Sequence, residues 1–540
     1  PAAVSGSIFS EGNLKYRTYK TGGDNVQGEG TIGVTSGKWY WEIYLVGFEG
    51  STARRGGIGV GDAISNETWT TACTEAAILS VGNLNPQAHN VVNATTGSSW
   101  STGAAGDIWC CAFDADAGTF IITKNTAVTG SETDGKWTGF ATSTVGYRPI
   151  TVEQSASDYT EFVYNFGQDS SFANNKTSGA AGSDFYFTPP TGYKALNTSN
   201  LDDPAIADPT AYFNTVLWSG SSSAQAITGV GFEPTWVWTK RRNGAYSHYF
   251  WDQVRGNAQR LEPNSTGAEE TQSGQWTSFD SDGFTLPGGS DATNNSGGTY
   301  VAWNWKAASS NTSVSAGSID GTNPTYACTR RTNSDAGFSI VSYTATGGSS
   351  ATVAHGLSQA PELIICKNRS ATFGWATYNA VSGADFTLFL NTSAAVASDS
   401  NTFPDAPSST IFNLGASSAA NGRPSNTDSM IAYCWHSIDG YSKIGSYTAN
   451  ANADGPFIYT GFRPAFVMVK GTSQTVNWDL IDSVRNPHNT LDKRISPNTS
   501  NAEDTGAVVD FVSNGFKVRT TSGGYNDPSS ATYIYLAFAE

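Results

Sequence analysis

Along most of the chain, apolar residues come in short runs rich in Val, Ile, Thr, Tyr, Phe and Trp, closed off by Gly, Asn, Asp and Ser. "KWYWEIYLVGF" from Lys38, "GTFIITKN" from Gly118 and "ATYIYLAFA" from Ala531 are clear cases. Such runs predict strands. No long segment sets apolar residues at i, i+3, i+4 and i+7, so helices are scarce. Short strands separated by turn signals predict an all-β chain of sandwiches or barrels.

The pattern also repeats. "GFEPTWVWTK" from Gly231 returns as "GFRPAFVMVK" from Gly461. Each predicts a turn, a Pro at the first strand position where no ladder donor is lost, and a buried strand. Lys240 and Lys470 are expected to mark the exit to solvent. Around this strand, further blocks recur in one order. "FWDQVRG" from Phe250 matches "DLIDSVRN" from Asp479, and "LEPNSTGAEET" from Leu261 matches "ISPNTSNAEDT" from Ile495. "FDSDGF" matches "FVSNGF", and "TYVAWNWKA" matches "TYIYLAFAE". A middle copy carries "ELIICK" from Glu362 and "MIAYCWHS" from Met430, but its Asp-x-x-Arg block is missing, with "WATYNAVSG" near that place. The expected plan is an N-terminal domain over 1–186, a Pro-rich linker over 187–211, and repeat domains over 212–307, 338–437 and 438–540. A flexible Ser/Thr/Gly-rich linker is expected over 308–337.

Composition narrows the partners. Charged residues make up only 14% of the 540 positions, and the formal net charge is −16. An acidic chain repels phosphate backbones and anionic lipid, so nucleic acid is not an expected partner. No apolar run is long enough to cross a membrane, and no secretory signal opens the sequence. The six Cys lack C-x-x-C spacing and several sit in strand-like runs, which reads as buried thiols formed in a reducing cytoplasm.

The N-terminal region has a more specific series. "SGKWYWEIYL" from Ser36 is followed by "GGIGVGD" from Gly56, "DADAGTFIITKN" from Asp114 and "EFVYNFGQ" from Glu161. In this order the blocks resemble the SPRY (B30.2-like) family over about residues 8 to 173. The resemblance implies a bent two-sheet sandwich and a non-catalytic binding module whose loops at one end contact partners. "GGIGVGDA" also looks like a phosphate loop, but its spacing is not G-x-G-x-x-G before a helix, and small residues in a close-packed strand explain it better. The three repeats, with "TPPTGYKALNTSNL" before them, resemble a repeat domain common in tail-fibre and other virion proteins of marine bacteriophages, a family whose biochemical role is poorly defined.

Candidate chemistry is sparse. The carboxylate pairs Asp114/Asp116, Glu269/Glu270 and Glu503/Asp504 have the residue types a glycosidase needs, but turn and capping roles explain them better. His89, His248, His355, His436 and His488 have no metal spacing, and no G-x-S-x-G elbow is present. No catalytic residue, metal or cofactor is expected. Loop candidates for binding are Arg54, Arg55, Trp69, Tyr147, Arg148, Trp251 and Trp276; Trp100 and Trp218 also sit near turns. Asp252 with Arg255, and Asp482 with Arg485, recur in register and read as structural pairs.

The expectation is therefore a virion appendage, a tail fibre or similar adhesin. It would be assembled in the host cytoplasm and displayed on the particle, where its loops meet a host-surface glycan or protein, or other virion proteins. A homo-oligomer, with a trimer favoured, would add avidity. Capsid decoration or a fibre subunit without receptor role is the alternative. A secreted glycan-degrading enzyme comes third.

Overall fold

The computed structural model describes residues 2–3, 8–10, 14–17, 26–30, 32–48, 57–61, 76–80, 86–89, 103–132, 135–141, 146–153, 160–177, 179, 184–200, 205–318, 324–506 and 508–540. The chain divides into two compact units, Pro1–Asp203 and Pro204–Glu540. Both are built almost wholly of antiparallel strands.

The N-terminal unit is a sandwich of two sheets. The long strand Lys38–Phe48 lies in the middle of one sheet, between Ile108–Asp114 and Thr160–Asn165. Its alternation explains its uninterrupted apolar character. Trp39, Trp41, Ile43 and Leu45 face the core between the sheets, where Ile58, Val60, Ala77 and Leu79 meet them. Tyr40 and Tyr44 face the other way and are covered by Phe172, Phe185 and residues up to Ala195. "GGIGVGD" supplies the strand Gly57–Gly61 of the second sheet. A Cβ at Gly59 would lie 1.9 Å from the Ala77 carbonyl oxygen, so this glycine permits close strand approach and cradles no phosphate.

The segment 187–211 is not a free linker. The Glu42 carboxylate is buried and accepts bonds from the Tyr186 and Phe187 amides at 2.8 and 2.7 Å, besides Tyr40 and Asn165. Lys194–Ala195 then pairs in parallel with Trp39 and Tyr40. The later part belongs to the second unit, where Ile206 is a core residue.

In the C-terminal unit each repeat has an inner four-strand arrangement and a smaller outer sheet. In the first repeat the inner order is Phe213–Ser219, Thr299–Trp305, Trp236–Arg241, His248–Asp252. The third repeat follows with Ser442–Thr448, Thr532–Ala539, Pro464–Gly471, Trp478–Asp482. In the second, Phe338–Ala345, Asp428–Trp435, Leu363–Asn368 and Ala376–Asn379 take the same places, so "ELIICK" is indeed the third version of the central strand. The expected flexible linker over 308–337 is corrected here. Its strands Thr312–Val314 and Cys328–Asn333 extend the second repeat's sheet, the latter pairing with Phe338–Tyr343.

The three repeats are not beads on a string. The inner sheets turn one face to their own sandwich and the other to a single core shared by all three. Trp236, Trp238, Trp303 and Trp305 of the first repeat meet Phe338, Trp375, Tyr433 and Trp435 of the second and Phe466, Met468, Trp478 and Phe538 of the third. Trp236 stacks on Tyr433 with centroids 4.7 Å apart, and Phe213 stacks on Phe538 at the same distance. Strands buried on both faces read as continuous apolar runs, which accounts for "PTWVWTK" and "PAFVMVK".

Candidate functional site

Most of the residues expected to bind prove to be core. Tyr147 and Arg148 are buried in the N-terminal unit, and the Tyr147 ring meets Phe113 and Phe140 edge-on at 5.1 and 5.2 Å. Trp251 and Trp276 are buried and stack on each other at 5.1 Å, and Trp218 stacks on Tyr300. Large rings near turn residues fill the sandwiches and present no face to a ligand. Arg54, Arg55, Trp69 and Trp100 lie outside the described residues. Asp114 and Asp116 cap the hairpin, accepting from the Ala117 and Gly37 amides.

Glu270 and Asp504 pair within their own repeats, with Arg260 and Arg494, but the other acids and their arginines hold the repeats together. Asp252 and Arg255 form a fully buried pair, and the Tyr433 hydroxyl of the second repeat donates to Asp252 at 2.7 Å. Arg255 also meets Glu269, which reaches across to Arg369 at 2.7 Å. The same clamp joins the third repeat to the first. Asp482 pairs with buried Arg485 and accepts from the Trp303 indole at 3.0 Å, while Glu503 bridges Arg485 and Arg242. Burial alone would raise the Glu503 carboxyl, but Arg242 and Arg485 together hold it below its ordinary range. Glu269 and Glu503 are thus committed to inter-repeat contacts.

At the third seam, between the second and third repeats, the clamp is absent. Strand register puts Asn379 where Asp252 and Asp482 stand, and Leu536 where Tyr433 and Trp303 stand. The Asn379 Oδ1 still accepts the turn amide, here Ser382, as the two aspartates do. Its Nδ2 is buried without a partner beside a small void lined by Leu363, Met468, Trp478 and Leu536.

Other contacts are shared by all three seams. The backbone bonds Glu269 N to Arg369 O, Val396 N to Thr472 O and Glu503 N to Arg242 O close the cycle of first to second, second to third and third to first. Lys240 and Lys470 do not exit to solvent as expected, and Lys367 of the second repeat behaves like them. Each is buried, and its ammonium donates to carbonyls of its own hairpin and to one of a neighbouring repeat: Ser500, Thr266 and Ser393 respectively. A carbonyl cup supplies the acceptors that a buried ammonium needs. Next to them, the Trp375 and Trp478 indoles donate across the seam, to Glu262 O and Phe389 O. In the first repeat His248 takes that place. Its Nδ1 accepts from Trp238, so Nε2 carries the proton and donates to Ser496 O of the third repeat.

These groups make stability depend on pH. Burial, with Lys240 nearby, pushes the His248 imidazole well below its ordinary value of 6.5, and burial pushes His355 down to about 4. Burial lowers Lys240 to about 7, with Arg241 adding to the effect, and Lys367 and Lys470 to about 8, from 10.5. In each window the unfolded chain binds protons that the folded chain does not, so stability rises with pH. The lysine part is lost as pH falls from about 10 towards 7, and the histidine part as it falls below about 6.5. The urea midpoint of the C-terminal unit is expected to climb from pH 5 to pH 9. A midpoint that falls over this range would contradict the burial of these groups.

One surface feature remains. In the first repeat a groove of about 440 Å³ is lined by Tyr246, Tyr249, Gln272, Gln275, Ser290 and Asp291, with glycines 274, 288 and 289 between them. The Arg241 guanidinium lies 4.5 Å over the Tyr246 ring and is paired with Asp291 at 3.1 Å. Arg260 lies 4.7 Å over Tyr249 and is paired with Glu262 and Glu270. The other copies differ here. Strand register gives Ala376 and Asp479 in place of Tyr249. In the third repeat Arg494, the counterpart of Arg260, is drawn to Asp479 and Asp504 at 3.3 and 2.7 Å. None of these groove residues was expected from sequence. The available signal was that Tyr249 stands where the other copies have Ala and Asp. Among the described residues no group of His, Cys, Asp and Glu could hold a metal ion.

Comparison with known proteins adds the following. The SPRY domain of human HERC1 is similar at 20% identity, over 30% of this chain and 92% of that domain, with a TM-score of 0.24. A human SPRY domain is similar at 14% identity over 30% of this chain and 97% of its own, with a TM-score of 0.23. A legume lectin-like domain from Entamoeba histolytica is similar at 12% identity over 30% and 88%, with a TM-score of 0.21. No curated protein matches the chain. A family model described as "Domain of unknown function (DUF7483)" matches residues 208–540, all three repeats at once and more than half of the sequence, and the chain belongs to that family.

Proposed function

We propose that the chain is an adhesive component of a bacteriophage particle, a tail fibre or similar appendage. It presents its β-domains to a host-surface glycan or to neighbouring virion proteins. The observation that carries this reading is the groove of the first repeat: it lies where the copies diverge, on a framework that their shared core holds rigid. The sandwich of the N-terminal unit serves as a second, non-catalytic binding module, and no catalysis is involved. Buried thiols suit assembly in the host cytoplasm before display on the particle. Homo-oligomerisation, as a trimer, would raise weak contacts to useful avidity.

The test is direct. The purified full chain is expected to adsorb saturably to host cells and to compete with whole particles. Gold-labelled antibody against it is expected at the tail. Label spread as a lattice over the head, with no adsorption to cells, would replace this reading with capsid decoration.

A further inference from the structure

We propose that the groove of the first repeat binds a neutral saccharide; this deepens, and rests on, the attachment reading. Its size is in the range of small-ligand sites, and its lining is mostly polar, with Asp291 as its one charged residue, paired with Arg241. Gln272, Gln275 and Ser290 offer amide and hydroxyl groups, and the Asp291 carboxylate accepts. Glycines 274 and 289 leave backbone groups uncovered, since a Cβ at either position meets nothing within 4 Å. Tyr246, half-buried, adds ring surface against which the C–H groups of a sugar can pack, while Tyr249 is buried beneath Arg260 and forms the floor. Gln272 Nε2 already donates to Glu270 and Gln275 Oε1 already accepts from Arg260, so each amide keeps its other atom for a ligand, and a hydroxyl-rich ring matches these polar atoms beside aromatic carbon.

Charge decides between sugar classes. Arg241 and Arg260 are both neutralised, by Asp291 and by Glu262 with Glu270, and both are fixed over tyrosine rings. An anionic sugar would find no unpaired cation and would meet Asp291 and Glu270, so it is disfavoured. The third repeat differs in kind: Asp479 replaces Tyr249, so its Arg494 lies between two carboxylates, Asp479 and Asp504, with no aromatic ring at that position. The first repeat is therefore the one expected to bind.

The full chain would be titrated calorimetrically with glucose, galactose, N-acetylglucosamine and lactose, with glucuronate as the charged comparison. At least one neutral sugar is expected to bind, and glucuronate more weakly. Gly274→Trp is aimed at filling the groove from a lining position whose backbone is outside the left-handed region and whose Cβ would meet no atom within 4 Å. It is expected to weaken binding at least about tenfold with the thermal transition unchanged. Tyr246→Ala should weaken binding as well. No binding by any neutral sugar, binding unchanged in Gly274→Trp, or preference for glucuronate would overturn the proposal. Host-cell adsorption separates the two readings. Adsorption by a chain that binds no neutral sugar removes the groove assignment and keeps attachment. Sugar binding without adsorption keeps the groove and removes attachment.

Discussion

Replacing Arg485 by Met is expected to destabilise the C-terminal unit by about 3–5 kcal/mol. The Arg485 side chain is fully buried against Asp482, and it also meets Glu503 and the Leu480 carbonyl. Removing it leaves the Asp482 carboxylate in the core with only the Trp303 indole and a turn amide as donors. An uncompensated buried charge is what makes such a loss large. The double variant Asp482→Asn with Arg485→Met is expected to cost less than the single one, because it removes the stranded charge. The chain already contains a relative of that arrangement, with Asn379 and Ser382 at the second repeat's corresponding turn. Urea unfolding of the full chain reads both values. A single-variant cost below about 1 kcal/mol, or a double variant worse than the single, would show that the pair does not act as described.

Trp236→Ala is expected to lower the stability of the same unit by about 3–5 kcal/mol, the range for a large core aromatic. Its ring touches Trp238, Phe250 and Trp305 in its own repeat and Phe338, Tyr433 and Trp435 in the next. The cavity therefore weakens two repeats together. Calorimetry should show residues 204–540 melting as one transition that moves down in temperature, with the transition of the N-terminal unit unmoved. Three separable transitions in the C-terminal unit, only one of them shifted, would mean that the repeats fold independently.

Local pattern discloses each strand but not what lies on its second face. "TWVWTK" reads as buried because its apolar residues are unbroken, yet a strand covered by its own sandwich and one shared with a neighbour look the same in sequence. The spacing of five matching blocks likewise shows repetition without showing that the copies close around one core. Lys240 reads as a strand exit because a cation at the end of an apolar run is usually solvated. Its carbonyl cup comes from Gly244 and from Ser500, in another repeat, and no short window contains both. The Asp-x-x-Arg block is legible as structural, and so is its gap in the middle copy. What the gap conceals is that Asn379 keeps the turn bond while giving up the charge. The groove escapes notice for a similar reason: Tyr246, Gln272 and Ser290 belong to three separate loops, and each alone is an ordinary turn residue.

The uneven seams also bear on how the unit would answer a pull. The second repeat passes into the third through only a few residues after Trp435, so those two are held at high local concentration whatever lies between them. The third and first repeats have no such tether, and they are the pair joined by Asp482, Arg485, Glu503 and His248. The unit's first and last strands meet at that same seam, where Phe213 lies against Phe538. Tension applied through both ends would fall on this clasp before it reached any other junction. One of the two charged clamps is thus placed where peptide continuity gives no help, and the bare Asn379 seam is one that covalent connection already secures.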